Sequence, residues 1–335
     1  MNVLLYGATG LLGHNVLISL LQQGYTVVAP VRNPDGLHLP PELANHPNLH
    51  LAGFHSAILQ PSEAGSNDYD FPVTPSAIIN CAATTDMSLL HYDDYLPMNK
   101  IFVEWLLRLM DHLDINTLVQ VSTANTIGFG TKNHPGTEDN DICPPFSNSY
   151  YARSKREGET MLEWAARQRP DRHIVILNPG FMVGPYDTHP SSGKLLLAAY
   201  RRRLMASPKG GKSFVHVRDV ATAAVNALTM GRNGHRYLLT GEDMSLKDFY
   251  ALQARECNYS QRLVELPDRL VGAAGRVGDL LRWMGLKTQL STRNVRQLMV
   301  MEYYSCEKAR DELLFPQTPI ATAIDEFFEW YLSQR

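Results

Sequence analysis

Asn2-Val3-Leu4-Leu5-Tyr6-Gly7-Ala8-Thr9-Gly10-Leu11-Leu12-Gly13 is a short apolar run that feeds a glycine-punctuated turn and opens directly into a helix-forming segment. Gly7 can take the tight turn out of a strand. Gly10 lets backbone approach a ligand with no Cβ in the way, and Gly13 lets the new helix pack close to the sheet. Free backbone N–H groups and the positive end of the helix converge at such a turn, which suits a pyrophosphate. Glycine turns are common, so context decides: this one follows an amino-terminal strand and precedes the amphipathic segment 11–23, which stops at Gly24. The stretch therefore predicts a dinucleotide cradle built from Gly7, Thr9, Gly10, Leu11, Leu12 and Gly13.

A chain of 335 residues can bury a large core, as one domain or as two of unequal size. Hydrophobic residues at 44% and charged residues at 19% exclude a disordered or collagen-like chain. A net charge of −3 gives no basic excess of the kind that binds nucleic acid, so small-molecule partners are expected. Cys81, Cys143, Cys257 and Cys306 lie far apart without a C-x-x-C pair, which suggests neither a disulfide framework nor a zinc site. No cationic leader precedes the first strand, and no apolar run approaches the roughly 20 residues that span a bilayer. The expectation is a cytoplasmic protein with no membrane partner.

Outward from the glycine turn, the β-rich run 25–31 reads as the second parallel strand, and Arg32 follows it at once. A carboxylate at this point would hold a ribose 2′-hydroxyl, whereas a cation suits a 2′-phosphate. Asp35 is the nearest carboxylate and lies beyond Pro34, so Arg32 favours NADP(H) over NAD(H). Residues 48–52 read as a third strand. The run 77–83 reads as a fourth that ends in the small residues Ala82 and Ala83, which either admit a flat cofactor or simply pack. Residues 93–112 carry apolar residues at helical spacing, among them Phe102, Trp105, Leu106 and Leu109. These exceed what one sheet-facing stripe needs, and a homodimer is expected from them. His91, Asp93 and Asp94 stand at the helix start, where carboxylates cap, and no metal site is assigned. The fifth strand, 118–121, delivers Ser122 and Thr123 to the same sheet edge.

Tyr151 and Lys155 are four apart on a helical segment, 151–166, which places them on one face about 6 Å apart along the axis. An ammonium beside a phenol favours the phenolate and lowers its pKa, so the pair can exchange a proton. Thr123 supplies a hydroxyl to hold a substrate carbonyl. Tyr150 is a rival by register. Strand 173–177 then leads into Asn178-Pro179-Gly180-Phe181, and the alternation of strands with helices implies a doubly wound parallel sheet.

The order of Gly7-x-x-Gly10-x-x-Gly13, Ala82-Ala83, Asn99, Ser122-Thr123, Tyr151-x-x-x-Lys155, Pro179-Gly180 with Gly184-Pro185, and residues 214–221 resembles the extended short-chain dehydrogenases/reductases. The branch it resembles is that of the dihydroflavonol 4-reductases, and residues 305–313 extend the likeness almost to the end of the chain. The resemblance implies an α/β fold of Rossmann type with a smaller carboxyl-terminal substrate domain. It implies that Thr123, Tyr151 and Lys155 are catalytic, settles the register on Tyr151, and gives Lys155 a second role on the nicotinamide ribose. It further implies that Asn99 helps place Lys155 and that Pro179, Gly180 and Phe181 line the nicotinamide. Two positions depart from the pattern. Gly53-Phe54-His55 stands where an adenine-binding aspartate is common, and Asn178 where an arginine is frequent, with no effect on the chemistry expected from the latter.

The remaining chain is less patterned. Residues 1–184 and 213–235 are assigned to the dinucleotide domain, and 185–212 and 236–335 to the interleaved substrate domain. Residues 195–204 read as a helix ending in the solvated cluster Arg201-Arg202-Arg203. Between Leu270 and Met284 the apolar residues form a helical stripe, expected in the core or as an apolar pocket wall. Together these features predict an NADP(H)-dependent oxidoreductase acting on a small ketone, aldehyde or secondary alcohol. The alternatives are an NAD-dependent nucleotide-sugar epimerase or dehydratase and a non-catalytic NADP(H)-sensing protein.

Overall fold

Residues alternate in direction along a strand, and here both directions are apolar, as a sheet covered on two faces requires. In β1 (Asn2–Tyr6), Val3 and Leu5 face one layer of helices while Leu4 and Tyr6 face another. The computed structural model describes residues 1–33, 37–54, 71–188 and 192–334. After β1 come α1 (Leu11–Gln22), β2 (Thr26–Val31), β3 (Leu49–Gly53), β4 (Ala77–Asn80), α2 (Phe102–Leu113), β5 (Thr117–Val121), α3 (Tyr150–Gln168) and β6 (His173–Pro179). The chain continues through β7 (Phe181–Val183), α4 (Gly193–Ala199), β8 (Leu204–Ser207), β9 (Gly211–His216), α5 (Val217–Asn226) and β10 (Arg236–Leu239). It ends with β11 (Glu242–Ser245), α6 (Leu246–Glu256), β12 (Arg262–Glu265), α7 (Asp268–Trp283), α8 (Thr292–Gln297), β13 (Met301–Glu302), α9 (Glu307–Leu313) and α10 (Ile320–Ser333).

Seven parallel strands form the main sheet in the order β10-β6-β5-β4-β1-β2-β3. The order reverses direction at β1, so a crevice opens at the carboxyl ends of β1 and β4, where ligands of doubly wound folds bind. Helices α1, α5 and α9 close one face and α2 and α3 the other. A second sheet, centred on β9 with β7, β11 and β13 around it, packs on α4, α6 and α10.

Four expectations change here. Residues 236–239 are not part of the substrate region: β10 is the edge strand of the main sheet, and Tyr237 and Leu239 belong to its core. Conversely, residues 213–216 leave the main sheet and lie in β9. The helix expected to run to residue 204 stops at Ala199, because Arg201 takes a left-handed backbone (φ 55°) and the chain turns into β8 to pair with β12. Finally, Phe102, Trp105, Leu106 and Leu109, expected in excess of one sheet-facing stripe, are all buried within one chain, against β1, β4 and α3.

Candidate active site

The glycine turn is crowded on one side and open on the other. Gly7 has φ +79°, and a Cβ there would lie 2.6 Å from the Ala82 nitrogen at the end of β4. A Cβ on Gly13 would lie 2.0 Å from the Gly7 carbonyl oxygen, so α1 can pack this closely only through glycine. At Gly10 the nearest heavy atom would be 3.5 Å away, and the residue is exposed. Helix α1 has no side-chain cap and no acidic residue in its first turn, so its N-terminal dipole is left uncompensated. Leu12 buries its side chain in the core, which leaves its backbone to face the cradle. The residues present fit a dinucleotide pyrophosphate. Arg32 stands exposed one strand away, just beyond β2, while Ala82 and Ala83 are half-buried beyond β4. Pro34, Asp35 and His55 lie outside the described residues. Phe54, where the usual aspartate is missing, packs edge-on against Tyr6 and Phe102.

Helix α3 brings Tyr151 and Lys155 to the same sheet edge. Ser149 caps it, accepting from the Ala152 N–H. The Tyr151 phenol lies beside the Thr123 hydroxyl, while Tyr150 points elsewhere, into an aromatic cluster with Tyr92 and Tyr95, with the Arg293 guanidinium 3.5 Å above its ring. The Lys155 ammonium is buried and donates to the Val121 carbonyl at 2.7 Å. Burial lowers its pKa to about 8, against a smaller upward pull from Glu159. Burial also pushes the Tyr151 phenol up to about 12, with the neighbouring Thr123 hydroxyl pulling the other way. Lys155 contributes no lowering: desolvation dominates and favours the neutral phenol.

Asn99 sits in a π-helical turn, Pro97–Ile101, that leads into α2. Its side chain accepts from the Thr84 N–H at 2.9 Å and donates to the Thr84 carbonyl and the Ser154 hydroxyl. It thus fixes the loop after β4 and the residue before Lys155, and makes no hydrogen bond to Lys155 itself. Pro179 is buried, and a Cβ on Gly180 would lie 2.5 Å from the Ser213 carbonyl oxygen, so the strand end passes tightly under β9. Phe181 stacks edge-on with Phe214. Among the described residues no group of three or more His, Cys, Asp or Glu could hold a metal; Asp94 instead accepts from the His91 N–H.

Two residues emerge here, Asn178, from which the sequence reading expected no effect on the chemistry, and Glu159, which it passed over. Asn178 is fully buried and donates to the Thr123 carbonyl at 3.1 Å, to Thr126 and to the Glu159 carboxylate at 2.7 Å. Glu159, also buried, accepts from Thr126 and pairs with Arg156, with Arg236 of β10 at 4.0 Å. The spacing Tyr151, Lys155, Glu159 puts all three on one helix face, a signal available in the sequence. Asn178 therefore does bear on the site, because it ties Thr123 to this carboxylate.

Helix α7 corrects a further expectation. Its buried contacts are Val271, Gly275 and Gly278, while Leu270, Val277, Leu280 and Met284 face solvent. The stripe is neither core nor pocket wall. The other side of the helix, through Asp279 and Arg282, joins Pro144, Asn148, Arg293 and Arg296 in lining an open cavity of about 820 Å³ beside the start of α3. Among these, Arg282 is committed to the Met87, Ser88, Leu89 and Thr288 carbonyls.

A sequence profile of the NAD dependent epimerase/dehydratase family matches residues 3–240. The chain belongs to that family, and with it to the extended short-chain dehydrogenases/reductases. It is 26% identical over 334 residues to a Synechocystis sp. protein named "Putative dihydroflavonol 4-reductase", covering 97% of this chain and 93% of the relative. It is 23% identical over 335 residues to sterol demethylase protein B of Methylococcus capsulatus, covering 99% and 98% of the two chains. In fold it is similar to a Bacillus anthracis dTDP-glucose 4,6-dehydratase in complex with NAD, with a TM-score of 0.72, 19% identity, and coverage of 100% of this chain and 97% of that one.

The Glu159 carboxylate raises the Lys155 pKa, so its removal in Glu159→Gln should lower it. If the lysine must be an ammonium for turnover, activity is present below its pKa and lost above it. The alkaline limb of a pH–rate profile should therefore move toward neutral pH in the variant. An unmoved limb alongside a reduced rate would assign Glu159 a purely structural role.

Proposed function

We propose that the chain is an NADP(H)-dependent reductase of ketones or aldehydes, with Thr123, Tyr151 and Lys155 as its catalytic residues and Asn99 as a positioning residue. The placing of Thr123 and the Tyr151 phenol side by side at the carboxyl edge of the sheet, two strands from the glycine cradle, carries this reading. Gly7, Thr9, Gly10, Leu11, Leu12 and Gly13 would hold the pyrophosphate, Arg32 the 2′-phosphate, and Ala82, Ala83, Pro179, Gly180 and Phe181 the rest of the dinucleotide. When bound, the nicotinamide supplies a hydride to the carbonyl carbon. The Thr123 hydroxyl holds the carbonyl oxygen, and Tyr151 gives it a proton as the carbon–oxygen double bond becomes a secondary or primary alcohol. A neutral phenol is the form this donation needs, and burial maintains it. Lys155, anchored on the Val121 carbonyl one helical turn from Tyr151, would supply the positive charge that favours the phenolate left behind. The reductase name of the Synechocystis relative agrees with this direction.

A second reading, an NAD-dependent nucleotide-sugar epimerase or dehydratase, has one observation of its own. Arg293 and Arg296 line the cavity beside α3, and cations there suit a diphosphate. Arg293 is stacked on Tyr150, and only Arg296 is exposed, so the observation amounts to one cation.

Tyr151→Phe should reduce turnover at least ~100-fold, a common general-acid contribution, with dinucleotide affinity nearly intact, and Tyr150→Phe should cost little. The opposite ranking of the two variants would move the proton donor to Tyr150. For the cofactor, NADPH should bind more tightly than NADH by ~2 kcal/mol, in the range for charged hydrogen bonds, and Arg32→Ala should remove most of that gap. Equal affinities in the unaltered protein would make Arg32 a plain surface residue.

A further inference from the structure

Helix α7 exposes an apolar face that the fold does not use. Leu270, Val277, Leu280, Trp283, Met284 and Leu286 are each 52–83% exposed, with Trp283 the most. The opposite face is pinned. A Cβ on Gly275 would lie 2.7 Å from Val295 of α8, one on Gly278 would lie 2.1 Å from the Leu290 carbonyl oxygen, and Arg282 ties the helix to the loop 87–89. Such close glycine packing leaves no freedom for the helix to roll its apolar side inward over the neighbouring cavity.

Charge identifies the occupant. Arg269, Arg276 and Trp283 recur every seven residues and so fall on one edge of the apolar face. Of the six cations between residues 268 and 296, Arg282, Arg293 and Arg296 line the cavity on the inner side with Asp279; the exposed Arg269, Arg276 and Lys287 remain against Asp268, a net +2 in a chain of net −3. A second copy meeting this face would set these cations against their own kind. An anionic surface offers the opposite charge, and an apolar face edged by arginine and tryptophan matches the headgroup boundary of a bilayer, with guanidinium groups reaching phosphates while their stems stay with the chains. Among the described residues no helix is long and apolar enough to cross a membrane, so contact would be from one side.

We infer that α7 is an interfacial helix that docks this protein on anionic lipid bilayers. Because Asp279 and Arg282 on its inner side line the cavity beside α3, docking brings the cavity close to the lipid surface. The inference holds whichever substrate the cavity takes.

The test is co-sedimentation of the full chain with vesicles of phosphatidylcholine alone and of phosphatidylcholine with phosphatidylglycerol. Binding should be at least ~10-fold tighter to the anionic vesicles, since each cation near such a surface adds to the attraction, and should weaken as salt is raised. Tryptophan emission should shift to the blue on binding, and Trp283→Phe should remove most of that shift. Leu280→Glu with Met284→Glu should abolish binding while leaving the melting temperature unchanged, since both side chains are exposed; Arg269→Glu with Arg276→Glu should remove the preference for anionic lipid. No binding to either vesicle, or binding undiminished by the paired glutamates, overturns the inference. So does a dimer in light scattering that the paired glutamates dissolve, which would make a second copy the occupant.

Discussion

The site depends on how closely three pieces of backbone meet at the end of β1. Gly7 turns with positive φ against the end of β4, and Gly13 lets the first turn of α1 lie directly on the Gly7 carbonyl. A Cβ at either place would collide with backbone, which cannot move aside as a flexible side chain could. The approach fixes the angle of α1 to the sheet, leaves its N–H groups pointing into the crevice, and sets that crevice beside the strand ends that carry Ala82 and Thr123. Gly10 alone faces open space. The glycines therefore divide their work: two hold the architecture together, and one clears room for a ligand.

A second constraint operates behind Thr123. Burial raises the Tyr151 pKa and lowers that of Lys155, in each case favouring the neutral form. For the tyrosine this favours proton donation. For the lysine it opposes the charge the mechanism asks for, and the buried Glu159 four residues further along α3 restores part of it. Glu159 is in turn held by Arg156 and approached by Arg236, and reaches the Thr123 backbone through Asn178. A buried carboxylate without such partners would be costly. With them, it fixes the geometry of the threonine and the charge of the lysine through one network.

Much of the main sheet was legible because buried parallel strands read as short apolar runs and the glycine turn has a mechanical reason for each glycine. Tyr151, Lys155 and Thr123 were legible as a constellation through helical spacing and the end of a strand, and the family profile agrees with the resemblance that fixed the order of these motifs. The substrate region was less so. The pairing of β8 with β12 joins residues far apart in sequence, and no local pattern foretells that Arg201 breaks the helix. The stripe on α7 shows the limit of periodicity: it reports that one face is apolar, and cannot say what lies against it. Glycine packing of Gly275 and Gly278 reversed the helix relative to the expectation. Asn178 was misread for a related reason, since its value lies in partners from β5 and α3 that only the fold brings together.

The central claim is that the chain moves a hydride to a carbonyl carbon and releases the spent dinucleotide at each turnover. Incubation with NADPH carrying deuterium at the transferable position, and a panel of aromatic and alicyclic ketones and aldehydes, tests it by mass spectrometry. The account predicts one deuterium on the carbinol carbon of a product and an equal amount of NADP+ free in solution. Protein that instead keeps NAD bound through purification, and interconverts a nucleotide sugar with no net change in nicotinamide absorbance, would contradict it.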